Sequence, residues 1–234
     1  MNVRLKSIQT HAPDFWLARG SVVLIAGLQL LIINPLSLGP RWLAPALELS
    51  LLLPLSVATA WTQGKVRSAT TDQHWHLIAR RRRGIRMAAV GLTALITLMN
   101  LGSLFLLVRA LLAGHAGTSG QTLLLDAINV WLTNVIAFAL WYWSIDRGGP
   151  AARGLVSSET CDFLFPQMTL GQSYAEWSPG FIDYFYLSFT NAAAFSPTDT
   201  MPLTSRVKSL MAIEAAISLL TLALVAARAV NILA

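Results

Sequence analysis

Apolar residues along this chain fall into runs close to the length of a bilayer, and the charged residues collect in the short stretches between them. Four such runs are read as helical spans: Phe15 to Leu38, Trp42 to Trp61, Met87 to Leu112 and Leu123 to Trp143. A fifth covers the apolar stretch from Leu210 to the C-terminus. About 20 apolar residues suffice for a helix to cross the hydrocarbon layer. The first run has a core, Ser21 to Ile33, of signal-peptide length, yet no small-x-small cleavage pattern follows it, and Asn34-Pro35 with Gly39-Pro40 reads as a turn. It is expected to stay as an uncleaved span. Trp42 and Trp61 bracket the second run as interfacial tryptophans do, and its Pro45 and Pro54 are tolerable because neighbouring helices re-satisfy freed carbonyls. The fourth ends in an aromatic belt, Trp141-Tyr142-Trp143, before the stop Asp146-Arg147-Gly148-Gly149-Pro150.

Beyond that stop, Ala151 to Pro179 is too apolar for a disordered linker and too short to span, so it is expected to lie at the interface. From Gly180 the pattern changes. A short aromatic helix, Phe181 to Phe195, is followed by a polar turn from Ser196 to Arg206 and then by the last apolar run. The fold class expected is an all-α integral membrane protein: a bundle of five transmembrane helices with a re-entrant, pore-loop-like helical hairpin before the last helix. Residues 1–234 form one membrane domain, divided into a four-helix part with its interfacial linker (1–179) and the hairpin with the last helix (180–234).

Composition agrees, since 55% of the 234 residues are hydrophobic and only 12% are charged, too few for the surface of a soluble domain. The net charge of +6 does not point to nucleic acid, because the basic residues flank apolar spans instead of lying along a soluble surface studded with aromatic side chains. Cys161 is the single cysteine, so no intrachain disulfide or cysteine-based zinc site can form. His74 and His76 point to different faces of a helix, and His11 and His115 are isolated. No Ser-His-Asp set, phosphate-cradling glycine loop or metal-spaced carboxylate pair occurs, so neither an enzyme nor a bound cofactor is expected.

Charge then orients the bundle. The stretch from Thr62 to Arg86 carries Lys65, Arg67, Arg80, Arg81, Arg82, Arg83 and Arg86 against Asp72 alone. With five spans and a cytoplasmic N-terminus, these seven join Arg4, Lys6, Arg19, Arg147, Arg153, Arg206 and Lys208 inside, leaving Arg41, Arg109 and Arg228 outside. The hairpin then opens to the cytoplasm of a multi-pass protein of the cell membrane. Arg80 to Arg83 either touch anionic lipid head groups or serve topology alone.

Phe185-Tyr186-Leu187-Ser188-Phe189-Thr190, then Asp199-Thr200-Met201-Pro202, then Arg206 at the start of an apolar helix carrying Glu214-Ala215 and Val225-Ala226-Ala227-Arg228, follow one another in the C-terminal quarter. This order resembles the pore module of potassium-channel proteins: pore helix, filter, Asp-x-x-Pro, inner helix. The whole chain resembles an uncharacterised family of bacterial integral-membrane proteins with the same order of spans before such a tail. The resemblance implies a pore loop involving Thr190, Asn191, Phe195, Ser196, Pro197, Thr198, Asp199 and Pro202. It departs at the filter, where Ala194-Phe195-Ser196-Pro197-Thr198 replaces the glycine-containing signature. Glycine reaches backbone angles that serine and threonine do not, and Pro197 fixes its own φ near −65°, so a potassium-selective carbonyl ladder is not expected. Two functions stay open: passive movement of ions or small solutes through an oligomeric or intrachain pore, and a non-conducting scaffold or accessory subunit whose hairpin only packs and binds partners.

Glu48, Arg109, Asp126, Glu214 and Arg228 are ionisable residues within or at the ends of apolar runs and are candidates by position. Glu48 or Asp126 paired with Arg109 or Arg228 would neutralise both, and a proton or substrate relay is the sharper reading. Asn100, Asn129 and Asn134 are expected to hydrogen-bond between helices, and Ala212, Ala216, Ala223 and Ala227 to allow close helix approach, within one chain or between copies in a homo-oligomer. The topology is testable in a Cys161→Ser background: Ser158→Cys is expected to label from the cytoplasm and Ala234→Cys from outside, and external labelling at position 158 would overturn the orientation.

Overall fold

The computed structural model describes residues 12–30, 42–43, 45–50, 53, 72–112, 120–149, 161–174, 177–194, 196 and 199–233. Five helices dominate: α1 (Ala12–Leu30), α2 (Asp72–Leu112), α3 (Gly120–Ile145), α4 (Phe181–Ala194) and α5 (Ser205–Leu233). Three of them contain segments long and apolar enough to cross a membrane, namely Gly84–Ala110, Gln121–Gly148 and Ser205–Ala227, while Trp16–Leu30 of α1 is a shorter apolar helix. Most of the proposed second span lies outside the described residues, of which 45–50 are helical.

The third span differs from its expected form. Instead of starting at Met87 after a polar loop, α2 runs unbroken for 41 residues from Asp72 and includes Arg80 to Arg83. At 1.5 Å per residue it is about 60 Å long, roughly twice the hydrocarbon thickness, so its basic first part projects beyond the apolar part. Hydropathy marks where a helix leaves lipid, not where it ends. Arginine, glutamine, leucine and alanine are all good helix formers, and nothing in Asp72–Arg86 breaks a helix except the tolerable Gly84.

Helix α3 is the axis of the bundle. It packs on α1, α2, α4 and α5, and 67% of its apolar window is buried, against 33% and 28% for those of α2 and α5. From Thr133 to Leu140 every side chain is buried, so the helix is surrounded on all sides as an all-round apolar helix requires. Its four neighbours all run antiparallel to it. Asn129 near its start donates to the Leu28 carbonyl late in α1, and Asn100 of α2 donates to the Val130 carbonyl at 3.1 Å. Trp143 near its end meets Phe181 at the start of α4, whereas Trp131 meets Phe189 further along, both edge to face. In α5 Glu214 meets Tyr142 and Ser218 meets Asn134. Helices α1, α2, α4 and α5 are therefore parallel to one another, and the starts of α1, α4 and α5 share one end of the bundle with the end of α3.

That end is closed by a polar and aromatic clamp. The chain leaves α3 through Arg147 (φ 50°), Gly148 (φ 74°) and Gly149 (φ 81°), with the Gly149 amide donating to the Asp146 carbonyl at 2.8 Å. Gly149 is required here on two counts: its φ is left-handed, and a Cβ would sit 2.5 Å from the Ser144 carbonyl oxygen. The same Cβ would be 3.7 Å from Arg86 Cδ, which puts Arg86 of α2 at this end too. Of the segment expected to rest at the interface, the described residues 161–174 fold over this end of the bundle, with strand β1 (Phe163–Leu164) pairing antiparallel to β2 (Met201–Pro202). Phe163 and Phe165 are buried, Phe163 against Tyr142 and Tyr184 and Phe165 against Tyr184 and Trp177.

Two buried aspartates hold the clamp. Asp146 accepts from the amides of Asp162 (2.8 Å) and Phe163 (3.3 Å) and from the Tyr184 hydroxyl (2.5 Å), with Arg147 Nε 3.7 Å away. Asp162 takes both nitrogens of a bidentate Arg206 fork and the Thr204 hydroxyl (2.6 Å), while its carbonyl accepts from the Leu203 amide. At the start of α4 two further carboxylates meet the positive helix end: Asp183 accepts from the Gly180 amide at 2.7 Å and Asp14 of α1 from the Phe181 amide at 3.3 Å. Charge-assisted hydrogen bonds contribute about 1.5–3 kcal/mol each, discounted for the half-exposed Arg206. Asp162→Ala is therefore expected to destabilise the protein by about 2 kcal/mol, read as a lower thermal-unfolding midpoint in detergent, with Asp162→Asn intermediate.

Candidate functional site

The most polar point inside the bundle is Glu214, which is fully buried on α5. It lies nine residues after Ser205, about 13 Å along the helix from the clamped end. Two neighbouring helices supply its partners. The Tyr142 hydroxyl of α3 donates to Glu214 Oε2 at 2.6 Å, as does the Asn191 amide nitrogen of α4 at 2.6 Å, and the Ser188 hydroxyl of α4 lies against Oε1. Asn191 Nδ2 also donates to the Met211 carbonyl at 3.0 Å, so both its hydrogens are used. Ser188 Oγ is in addition 2.7 Å from the Val135 carbonyl oxygen of α3. One turn further along α5, Asn134 Nδ2 donates to the Ser218 hydroxyl at 3.1 Å.

Local sequence explains how each element delivers its group. Tyr142, Phe138 and Asn134 are four apart and share the face of α3 turned to α5, and Ser188 with Asn191 are three apart on the buried face of α4. Met211, Glu214 and Ser218 recur at three and four on α5. Taking a carboxyl group into a low-dielectric interior is costly unless hydrogen-bond donors surround it, and here the donors stand in place of a counter-ion, since among the described residues no cationic side chain pairs with Glu214.

The pore-loop candidates scatter. Asn191 belongs to the Glu214 cluster. Thr190 turns its hydroxyl back to the Tyr186 and Leu187 carbonyls of its own helix, at 2.9 and 3.0 Å. Ser196 and Asp199 are exposed, the latter accepting from the Thr200 hydroxyl at 3.2 Å. Pro202 sits in β2, while Phe195, Pro197 and Thr198 lie outside the described residues.

Of the ionisable candidates Glu214 is the centre of a network. Among the described residues Glu48 is paired with no arginine. Its hydrogen-bond partner is Gln29, which donates at 2.7 Å, and Arg109 is exposed, its guanidinium 5.9 Å from the Phe105 ring centroid. The physical reason lies in the ends of the elements: Arg109 sits on a face of α2 that no described helix covers, whereas Glu48 turns inward onto α1. Asp126 is buried near the start of α3, and the side chains of Arg228 and of Arg80 to Arg83 lie outside the described residues. Asn100, Asn129 and Asn134 do bond between helices, to the Val130 carbonyl, the Leu28 carbonyl and Ser218.

Sequence reasoning missed Tyr142, Ser188, Ser218 and the clamp aspartates Asp146 and Asp162. Tyr142 reads as part of an interfacial belt, and its contact with Glu214 bridges 72 residues, for which no local pattern exists. The usable signal was weak but present: one carboxylate in an apolar run demands donors, and Ser188 and Asn191 share one face of the short helix before it.

The fold and this cluster define a helical membrane protein with a hydrogen-bonded carboxyl group at its centre. Compared with protein-family models, curated proteins and solved structures, the chain matches none. Glu214→Ala leaves the Tyr142 hydroxyl and one Asn191 N–H without an acceptor and creates a cavity, and is expected to cost about 3–5 kcal/mol. Glu214→Gln preserves shape and hydrogen bonding and is expected to cost less than about 1.5 kcal/mol, both measured by reversible unfolding in mixed micelles.

Proposed function

We propose that the chain is a five-span protein of the cell membrane with a cytoplasmic N-terminus, in which α4 and its return segment form a re-entrant hairpin. Homo-oligomers of it pass ions or small solutes passively, without a potassium-type filter. The observation that carries this reading is the parallel run of α4 and α5 from the same end of the bundle. A helix of 14 residues is about 21 Å long, too short to cross, and β2 already lies back at the clamp. Irregular backbone at membrane depth is tolerated where protein buries it or where it lines a water-filled cavity. This reading gives that role to the polar turn that begins at Ser196.

The direction of the helices supports five spans: α1 and α2 run the same way, which favours reading Trp42 to Trp61 as a span between them. Arg86, Arg147 and Arg206 gather at one end and Arg109 at the other, which favours the clamped end as cytoplasmic. The basic first part of α2 then meets the anionic leaflet.

A path between copies is favoured over one through a single chain because hydrogen-bonded side chains occupy the space between α3, α4 and α5. Exposed Ile182, Tyr186 and Phe189 on α4, with exposed Ala212, Ala216, Ala223 and Ala227 on α5, offer the small and aromatic surface on which helices of another copy pack. The scaffold reading has one observation of its own: Ser188, Thr190 and Asn191 all spend their polar groups on internal bonds. Purified protein in liposomes separates the two. Conduction predicts ion flux that Asp199→Ala diminishes, and flux no greater than that of empty vesicles would leave the scaffold.

A further inference from the structure

The hydrogen count around Glu214 admits two complete arrangements. Ser188 has one hydroxyl hydrogen but two acceptors in reach, Glu214 Oε1 and the Val135 carbonyl oxygen at 2.7 Å. In the first arrangement the serine donates to an ionised Glu214, whose Oε2 accepts from Tyr142 and Asn191. In the second, Glu214 carries a proton on Oε1 and donates it to Ser188 Oγ, and the serine hydrogen rotates to Val135, whose carbonyl has a second lone pair free of the helix ladder. The bonds from Tyr142 and Asn191 are the same in both. Every polar atom of the cluster is satisfied in each, without movement of a heavy atom.

We propose that Glu214 is a proton-binding site, with the Ser188 hydroxyl as the rotor that lets one cage hold both the ionised and the neutral carboxyl. The proton comes from water and returns to it, forming and breaking a single O–H bond at Oε1. The groups facing the site bear this out. Helix α3 presents Tyr142 and the Val135 carbonyl, α4 presents Ser188 and Asn191, and α5 itself presents the Met211 carbonyl and, a turn away, Ser218. No lysine, arginine or histidine among them fixes the carboxylate charge, whereas the other buried carboxylates of the clamp, Asp146 and Asp162, each have an arginine at hand. Because Glu214 is fully buried, exchange with water requires the packing of α3, α4 and α5 around it to open, and two of its three side-chain partners ride on α4.

Infrared difference spectroscopy of the full chain in lipid tests this directly. Stepping the pH is expected to reveal a carboxylic C=O stretching band that vanishes on alkalinisation and is absent in Glu214→Gln. Ser188→Ala and Tyr142→Phe, which keep the carboxyl but each remove one partner, are expected to shift that band and so assign it independently of the folding of Glu214→Gln. Absence of such a band at every pH where the protein stays folded overturns the proposal, as does a band that no pH step changes. A pH-dependent band that ignores all three substitutions belongs to another carboxyl and overturns it equally. Flux measurements play no part in the readout, so a non-conducting protein and a non-titrating Glu214 are told apart.

Discussion

A carboxyl group inside a helix bundle has to be met by hydrogen-bond donors, because neither water nor lipid is there to solvate it. That requirement at Glu214 is what fixes α3, α4 and α5 against one another. Tyr142 sets the depth of α5 along α3, while Ser188 and Asn191 set both the depth and the rotation of α4. Apolar packing alone would leave these helices free to slide in lipid, since tails are as apolar as leucine side chains and no hydrophobic gain favours one register. Directional bonds to one carboxyl remove that freedom.

The clamp at the end of the bundle works by the same physics at a wetter site. Asp146 and Asp162 gather backbone amides, a tyrosine, a threonine and an arginine from segments far apart in sequence, and so tie the chain leaving α3 to the chain entering α4 and α5. Phe163 and Phe165 fill the space under these bonds. Tyr184 belongs to both systems, its ring among the phenylalanines and its hydroxyl on Asp146, one turn before Ser188 on the same helix. The position of α4 is thus set at its entrance by the clamp and in its interior by Glu214.

These two anchor points explain why a short amphipathic helix can be held beside longer apolar ones. Its buried face, Phe181, Tyr184, Leu187, Ser188 and Asn191, is turned to α3 and α5, while Ile182, Tyr186 and Phe189 face outward. The likeness to a channel pore helix lay in the order of elements and in Asp199 to Pro202. The buried hydrogen-bonded cluster is centred instead on a glutamate of the following helix.

The sequence by itself determined the class of protein, the long apolar helices α2, α3 and α5, the short aromatic α4, the turn after Ile145 and the inter-helix role of three asparagines. All of these are local: apolar run length, glycine and proline punctuation, or an isolated amide in an apolar run that needs an acceptor nearby. The tertiary structure alone decided that Asp72–Arg86 is helix, that residues 161–170 close the bundle, that Glu48 meets Gln29, and which donors surround Glu214. Charge and hydropathy register the cost of burying a group but not the direction in which its partner lies. That direction depends on how each helix is rotated and how deep it sits, and bonds such as Tyr142 to Glu214 fix both only once the chain has folded.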